Sequence, residues 1–138
     1  MINANKEIEN LRFFQMLSRA GSHAGTTLHI AGLSNPTALA FLLSKVDQSS
    51  FAELSHLVIT PDDDSAQEIA LDLSVFNTRM NIRVLDFFDV SPQSGLPPSP
   101  KMGARRAGWL SRALNSKPGE VFIASIGALA QVTAPKEI

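Results

Sequence analysis

The sequence predicts an α/β fold with a mainly parallel sheet of at least four strands and helices on both faces. Short apolar runs alternate with segments of helical periodicity along the chain, and no strong two-residue hairpin turn joins neighbouring apolar runs. A strand-to-helix junction after His29 also has the layout of a phosphate-binding loop. At 138 residues, the chain is predicted to form a single α/β domain spanning residues 1–138.

The strands and helices follow from the spacing of apolar residues. Four apolar runs are predicted strands: Thr26–Ala31, His56–Thr60, Ile82–Phe87 and Glu120–Ala124. Helical spacing predicts helices over Ile8–Ala20, Thr37–Val46, Asp62–Asn77 and Lys101–Leu114, and a short helix that Ser125 caps and that runs through Leu129. The pattern does not determine the strand order. The long loop Asp89–Pro100 should project at the carboxyl edge of the sheet, where ligands and partners usually bind.

The junction after His29 resembles a phosphate-binding loop that lacks the phosphate-binding residues. Gly32 takes the position of the first glycine of GxxxxGK[ST]. Thr37 occupies the position of the second glycine, Ala38 that of the lysine and Leu39 that of the Ser/Thr. Without the lysine no cation reaches the β- and γ-phosphates, and without the hydroxyl this loop has no magnesium ligand. We therefore predict a degenerate loop that does not bind ATP.

A second interpretation of the same segment is an ordinary capped helix. Ser34 or Asn35 is a suitable N-cap, and Pro36 suits the first helical turn because its missing N–H would be unpaired there. On these residues alone, the capped helix is the simpler interpretation.

Composition limits the class of protein. Hydrophobic residues make up 44% and charged residues 18%, which is typical of an ordinary globular chain. No apolar run approaches membrane-spanning length, and the polar N-terminus does not resemble a secretory signal, so a cytoplasmic location is predicted. The absence of cysteine excludes disulfides and thiolate chemistry, and no cofactor is predicted. A net charge of −1 gives no overall attraction to nucleic acid.

A basic segment follows the long loop. Lys101, Arg105, Arg106 and Arg112 fall on one predicted helix, with Lys117 shortly after it and no acidic residue between Asp89 and Glu120. These cations are either a docking patch for a protein partner or a nucleic-acid backbone, or a solvated helix face. Trp109, in the same helix, is predicted to anchor the core.

Three further groups of polar residues have structural interpretations. His23, His29 and His56 show no spacing typical of metal ligands, so no metal site is predicted. Asp62–Asp64 begin a helix, where the macrodipole favours negative charge. Ser125 has no later histidine to act as its base, which disfavours a role as a nucleophile.

Three stretches together resemble one protein family. They are the degenerate loop with Thr37–Phe41, then Val84–Phe88 with Pro98–Pro100 and the arginines and Trp109 of the basic helix, and finally Val121–Leu129 with Ala134–Ile138. In this order they resemble the N-terminal, UvrB-like subdomain of the bacterial transcription-repair coupling factor. The resemblance covers most of this chain and a small part of the family's length. It departs from the family in the loop, where the family's Pro-Tyr pair has no counterpart because the chain lacks tyrosine.

The resemblance implies a helicase-like fold, of the RecA type, with a P-loop that has lost its function. It implies a non-catalytic scaffold in transcription-coupled nucleotide excision repair, which supports recruitment of the damage-recognition protein UvrA to stalled transcription. Other domains of the same factor would also be partners, and DNA would be bound by the full-length ATP-dependent translocase rather than by this domain. The competing hypothesis is a stand-alone doubly wound enzyme or a module that binds a nucleotide or metabolite at the carboxyl edge.

Overall fold

The computed structural model describes residues 29–31, 35–46, 54–90 and 95–131. These residues form four helices and three strands in the order α1 (Pro36–Val46), β1 (His56–Thr60), α2 (Asp63–Phe76), β2 (Asn81–Val84), α3 (Pro100–Leu114), β3 (Glu120–Ser125) and α4 (Ile126–Ala130). Each observed helix agrees with a predicted one to within a residue or so at either end. No helix in the described part of the chain is long and apolar enough to cross a membrane.

The three strands form one parallel sheet with the order β1-β3-β2. The register pairs Val58 of β1 with Ile123 of β3, and Ile123 with Val84 of β2. The last strand in sequence is therefore the middle strand of the described sheet. The parallel α/β class is confirmed for these three strands. Of the predicted first strand, His29–Ala31 adopt no strand and residues 26–28 lie outside the described part of the chain.

Side chains of β3 alternate between two cores. Val121 and Ile123 belong to one cluster of buried residues, whose other members come from α1, β1, α2 and the turn before β2: Ala40, Val58, Ala66, Ile69, Leu73 and Met80. Phe122 and Ala124 belong to a second cluster with Leu85, Trp109 of α3 and Ala128 of α4. Because successive side chains of a strand point to opposite faces, helices cover both faces of the sheet, as predicted.

The second strand is shorter than predicted. Leu85 still donates its backbone N–H to the Ile123 carbonyl at 2.8 Å, but the regular strand ends at Val84. Beyond it, the Asp86 carbonyl accepts a hydrogen bond from the Arg106 side chain. At Asp86 the backbone carbonyl thus bonds to a side chain and not to a neighbouring strand. The segment 85–88 leaves the sheet toward α3 and α4.

Candidate functional site

The carboxyl edge of the sheet is where an α/β protein of this kind binds ligands. β1 and β3 end side by side there, because Thr60 is in register with Ser125. The polar groups that follow these strand ends are the Thr60 hydroxyl, the aspartates at the start of α2 and the Ser125 hydroxyl. Whether they form a site depends on which of them remain available to a ligand.

The Ser125 hydroxyl acts both as a hydrogen-bond donor and as an acceptor within this chain. Its Oγ donates a short hydrogen bond to Asp63 and accepts the Ala128 backbone N–H at 2.9 Å, as expected of the N-cap of α4. The residue is only 1% exposed. A buried hydroxyl with both roles occupied is poorly placed to attack a substrate, and this agrees with the interpretation of Ser125 as a cap.

The three aspartates at the start of α2 differ in their contacts and exposure. The Asp62 side chain accepts the Ser65 backbone N–H at 2.7 Å, and this bond lowers the pKa of Asp62. Asp63 accepts the hydrogen bond from Ser125, while Asp64 is exposed. Thr60 donates to the Asp62 carbonyl at 2.8 Å. The prediction that this triplet caps a helix is confirmed, and no group of three or more metal-ligating side chains occurs among the described residues.

Three of the four degenerate phosphate-loop positions lie in the first turn of α1, whereas Gly32 lies outside the described residues. Asn35 accepts the Thr37 backbone N–H on its Oδ1 at 2.7 Å, so it is the cap predicted by the second interpretation. Ala38 is exposed, and Leu39 packs against the first core cluster. An N–H that an anion would need at this helix start is therefore already bonded to a side chain.

The four cations of the predicted docking patch lie in different surroundings. Lys101 is exposed, and Arg105 is 58% exposed and pairs with Asp86 at 2.9 Å. Arg112 turns toward the sheet and pairs with Glu120 at 2.7 Å. Arg106 is 2% exposed, so it cannot belong to a surface patch. Lys101 and Arg105 are therefore the exposed members of the predicted patch. The other two arginines lie on the side of α3 that faces the sheet.

Arg106 is the centre of the most elaborate polar arrangement in the described chain. Its guanidinium donates to the Asp86 carbonyl at 2.5 Å and to the Ala128 carbonyl at 2.8 Å, with longer contacts of 3.5 Å to the Gln131 carbonyl and side chain. The ring of Phe88 lies 4.3 Å from the guanidinium carbon. Burial lowers the pKa of Arg106, against the opposing charges of Asp86 and Asp63. The positive charge of the Arg106 guanidinium is stabilised mainly by the dipoles of backbone carbonyls rather than by a bonded carboxylate.

The Arg106 arrangement fastens three segments together. Besides the bonds of the arginine, the Gln131 side chain accepts the Phe88 backbone N–H at 2.8 Å. The segment after β2 is thereby fixed to the end of α4. The sequence interpretation missed the role of Arg106. A signal was nevertheless present: Arg106 lies three residues before Trp109, on the same side of the helix.

Glu120 is a second buried charge that the sequence did not single out. Its carboxylate accepts Arg112 Nε at 2.7 Å and the Lys117 backbone N–H at 2.8 Å, and Arg83 Nε lies 3.6 Å away. Burial opposes ionisation, but these donors and cations outweigh it and leave the pKa of Glu120 lowered. Along α3, Arg112, Trp109 and Arg106 thus face Glu120, Phe122 and the C-terminal part of α4 in turn.

The long loop is closed at its base by a side chain. The Ser99 backbone donates to Asp89 Oδ1 at 3.2 Å, and hydrogen bonds from Ser99 lower the pKa of Asp89. The Ser99 hydroxyl in turn accepts the Met102 N–H at 3.3 Å as the N-cap of α3. Residues 91–94 lie outside the described chain.

Comparisons with models of protein families, with curated proteins and with solved structures find no match to this chain.

Proposed function

We propose that this chain is a non-catalytic scaffold module, similar to the N-terminal subdomain of the transcription-repair coupling factor. It would support recruitment of UvrA to stalled transcription. The exposed cations Lys101 and Arg105 at the start of α3 would belong to the surface that contacts protein partners.

The observation that best supports this proposal is that residues from two separate resembling stretches meet in one interior. Trp109 of the second stretch packs edge-to-face on Phe122 of the third, with ring centroids 5.4 Å apart. Arg106 of the second stretch donates to the Ala128 carbonyl of the third at 2.8 Å. These contacts place the second and third stretches in one structural unit, as the resemblance implies.

Three polar groups at helix starts also favour a scaffold over an enzyme. The Ser125 hydroxyl, the Asp62 carboxylate and the Asn35 amide oxygen each accept a backbone N–H of the helix that follows them. An enzyme active site generally keeps a nucleophile or a base available to substrate. These three groups instead cap α4, α2 and α1.

The direct test is binding of the 138-residue chain to purified UvrA, measured by biolayer interferometry. We expect saturable binding that is weakened at least several-fold by Lys101→Glu combined with Arg105→Gln, because both residues are exposed. Lys117→Glu is the matched control, since it changes an exposed cation outside α3. Absence of binding at tens of micromolar, or an equal loss with the control, would count against the proposal.

Calorimetry with Mg·ATP tests the competing nucleotide-binding function. We expect no saturable heat, because Ala38 and Leu39 stand where the lysine and the magnesium-ligating hydroxyl would be. Saturable micromolar binding that is lost in Asn35→Ala would favour a nucleotide-binding module instead.

We also expect the isolated chain not to bind duplex or single-stranded DNA at physiological salt, as only a few exposed cations lie on α3.

A further inference from the structure

The end of the long loop, where it leads into α3, is rich in proline. From Leu96 to Pro100 the sequence is Leu-Pro-Pro-Ser-Pro. Proline fixes its own φ at about −65° and holds the residue before it in an extended or polyproline II conformation. Three residues of this segment, Leu96, Pro97 and Ser99, directly precede a proline. The sequence therefore restricts most of the segment to the polyproline II region.

The structure shows this conformation where the segment joins α3. Ser99 has a φ of −60° and a ψ of 142°, which are close to the ideal polyproline II values. Its backbone N–H donates to Asp89 Oδ1 at 3.2 Å, and its carbonyl accepts the Gly103 N–H at 3.0 Å. The segment is thus fixed at this end both to the base of the loop and to the first turn of α3.

The exposure of the prolines follows the period of a polyproline II helix. Pro97 and Pro100 are exposed, whereas Pro98 and Ser99, which lie between them, are partly buried. A polyproline II helix has three residues per turn and rises about 3.1 Å per residue, so residues three apart lie on one side, about 9 Å from each other. Pro97 and Pro100 therefore lie together on the outward side of the segment.

Two exposed prolines at this spacing are the pattern that aromatic-lined grooves recognise. Such grooves bind Pro-x-x-Pro segments in the polyproline II conformation, and a segment already in that conformation loses little entropy on binding. Here the two prolines are Pro97 and Pro100. Lys101 follows as an exposed cation, and no acidic residue lies between Asp89 and Glu120. The positive charge at this end of the segment favours a groove that has carboxylates at its border.

We propose that residues 96–101 form a docking segment for a protein partner. An aromatic-lined groove of the partner receives Pro97 and Pro100, and carboxylates at the border of the groove contact Lys101. The contact is smaller than a standard protein–protein interface, so the dissociation constant is on the order of 100 µM and the association is transient. The docking segment is additional to the proposed scaffold function, which was assigned through Lys101 and Arg105 and not through the prolines.

Three purified domains that bind proline-rich segments serve as probes: an SH3, a WW and an EVH1 domain. Each domain is isotopically labelled and titrated with the unlabelled 138-residue chain, and its NMR chemical shifts report where the chain binds. We expect shift changes at the aromatic groove of at least one domain, with a Kd on the order of 100 µM. At about 1 mM chain such binding would be largely saturated. If no groove responds at that concentration, or if shifts change only outside the grooves, the proposal is overturned.

Replacing an exposed proline tests which residues the groove receives. Pro97→Ala should weaken binding roughly fivefold or more, because it removes a ring and loosens the conformation of the segment. Pro118→Ala is the matched control: it changes an exposed proline in the turn before β3 and should leave the affinity unchanged. Circular dichroism reports whether both variants remain folded. An affinity unaffected by Pro97→Ala contradicts the proposal, and so does an equal loss with the control.

Binding to UvrA is measured separately, and Pro97→Ala leaves Lys101 and Arg105 in place. A chain that binds none of the three domains would therefore leave the scaffold proposal intact.

Discussion

Replacing Arg106 should destabilise the fold much more than replacing its neighbour Arg105. Arg106 is buried and donates to the carbonyls of Asp86 and Ala128, whereas Arg105 is 58% exposed and makes one surface ion pair. A hydrogen bond to a charged group contributes about 1.5–3 kcal/mol. The variant Arg106→Met deletes two such bonds and leaves the carbonyls unpaired. Relief of the desolvation of a buried cation, together with packing of the methionine, offsets part of that loss. We expect a net loss of about 3 kcal/mol, with Arg105→Met costing less than about 1 kcal/mol.

Urea unfolding followed by tryptophan fluorescence measures the free energy of unfolding of both variants. The signal is specific, because Trp109 is the only tryptophan and the chain has no tyrosine. Burial of Trp109 against Phe122 should shift its emission on unfolding. For a chain of this size, about 3 kcal/mol corresponds to a fall in Tm of roughly 10 °C. Equal losses for the two variants would refute the reasoning, as would an Arg106→Met chain as stable as the wild type. A stable Arg106→Met chain would mean that the carbonyls of Asp86 and Ala128 gain little from the guanidinium, and equal losses would mean that the burial of Arg106 adds nothing to its contribution.

Three further changes test the other contacts. Ser125→Ala removes the cap of α4 and the partner of Asp63, and should cost about 1–2 kcal/mol in thermal unfolding. Ser111→Ala on the exposed face of α3 is its control, and equal losses would argue against the cap. Trp109→Phe removes the Nε1 hydrogen bond to the Arg83 carbonyl at 3.0 Å together with some packing, and should cost about 1–3 kcal/mol by circular dichroism. Because the pKa of Glu120 is lowered in the fold, its carboxylate stabilises the protein above the unfolded-state pKa, and this contribution is lost as pH falls through the lowered value. Glu120→Gln should therefore be less stable than wild type at neutral pH, with the difference shrinking in acid; a difference that does not change with pH would contradict the role of the charge.

Much of the fold could be predicted from local patterns. The helices α2 and α3 were predicted to within a residue or so because their apolar spacing is regular. Asp62, from the predicted capping triplet, accepts the Ser65 N–H, and the structure adds Ser99, which accepts the Met102 N–H. The capping role of Ser125 was predicted for the same reason. The parallel sheet followed from short apolar runs separated by helices. These features depend on residues within a few positions of one another, which is what a sequence pattern records.

The candidate site was predicted less well. A run of basic residues does not reveal which of its members the helix turns inward, and Arg105 and Arg106 are adjacent in the chain. Only the packing of α3 on β3 separates them, giving Arg105 to the surface and Arg106 to three distant carbonyls. In the same way, the degenerate phosphate loop and the capped helix were both compatible with the sequence, and the Asn35 bond to Thr37 favours the cap.

By itself, the sequence determined the α/β class of this protein, the positions of its main helices and the capping roles of the Asp62–Asp64 triplet and Ser125, because these depend on local spacing and on hydrogen bonds between near neighbours. Tertiary structure alone decided the strand order β1-β3-β2, the burial of Arg106 and Glu120, and the exposure of Leu57 and Ile59 on β1. The physical reason is that a strand's neighbours, and the partners of a buried charge, come from residues far apart in the chain. Those contacts form only when the sheet and both layers of helices assemble.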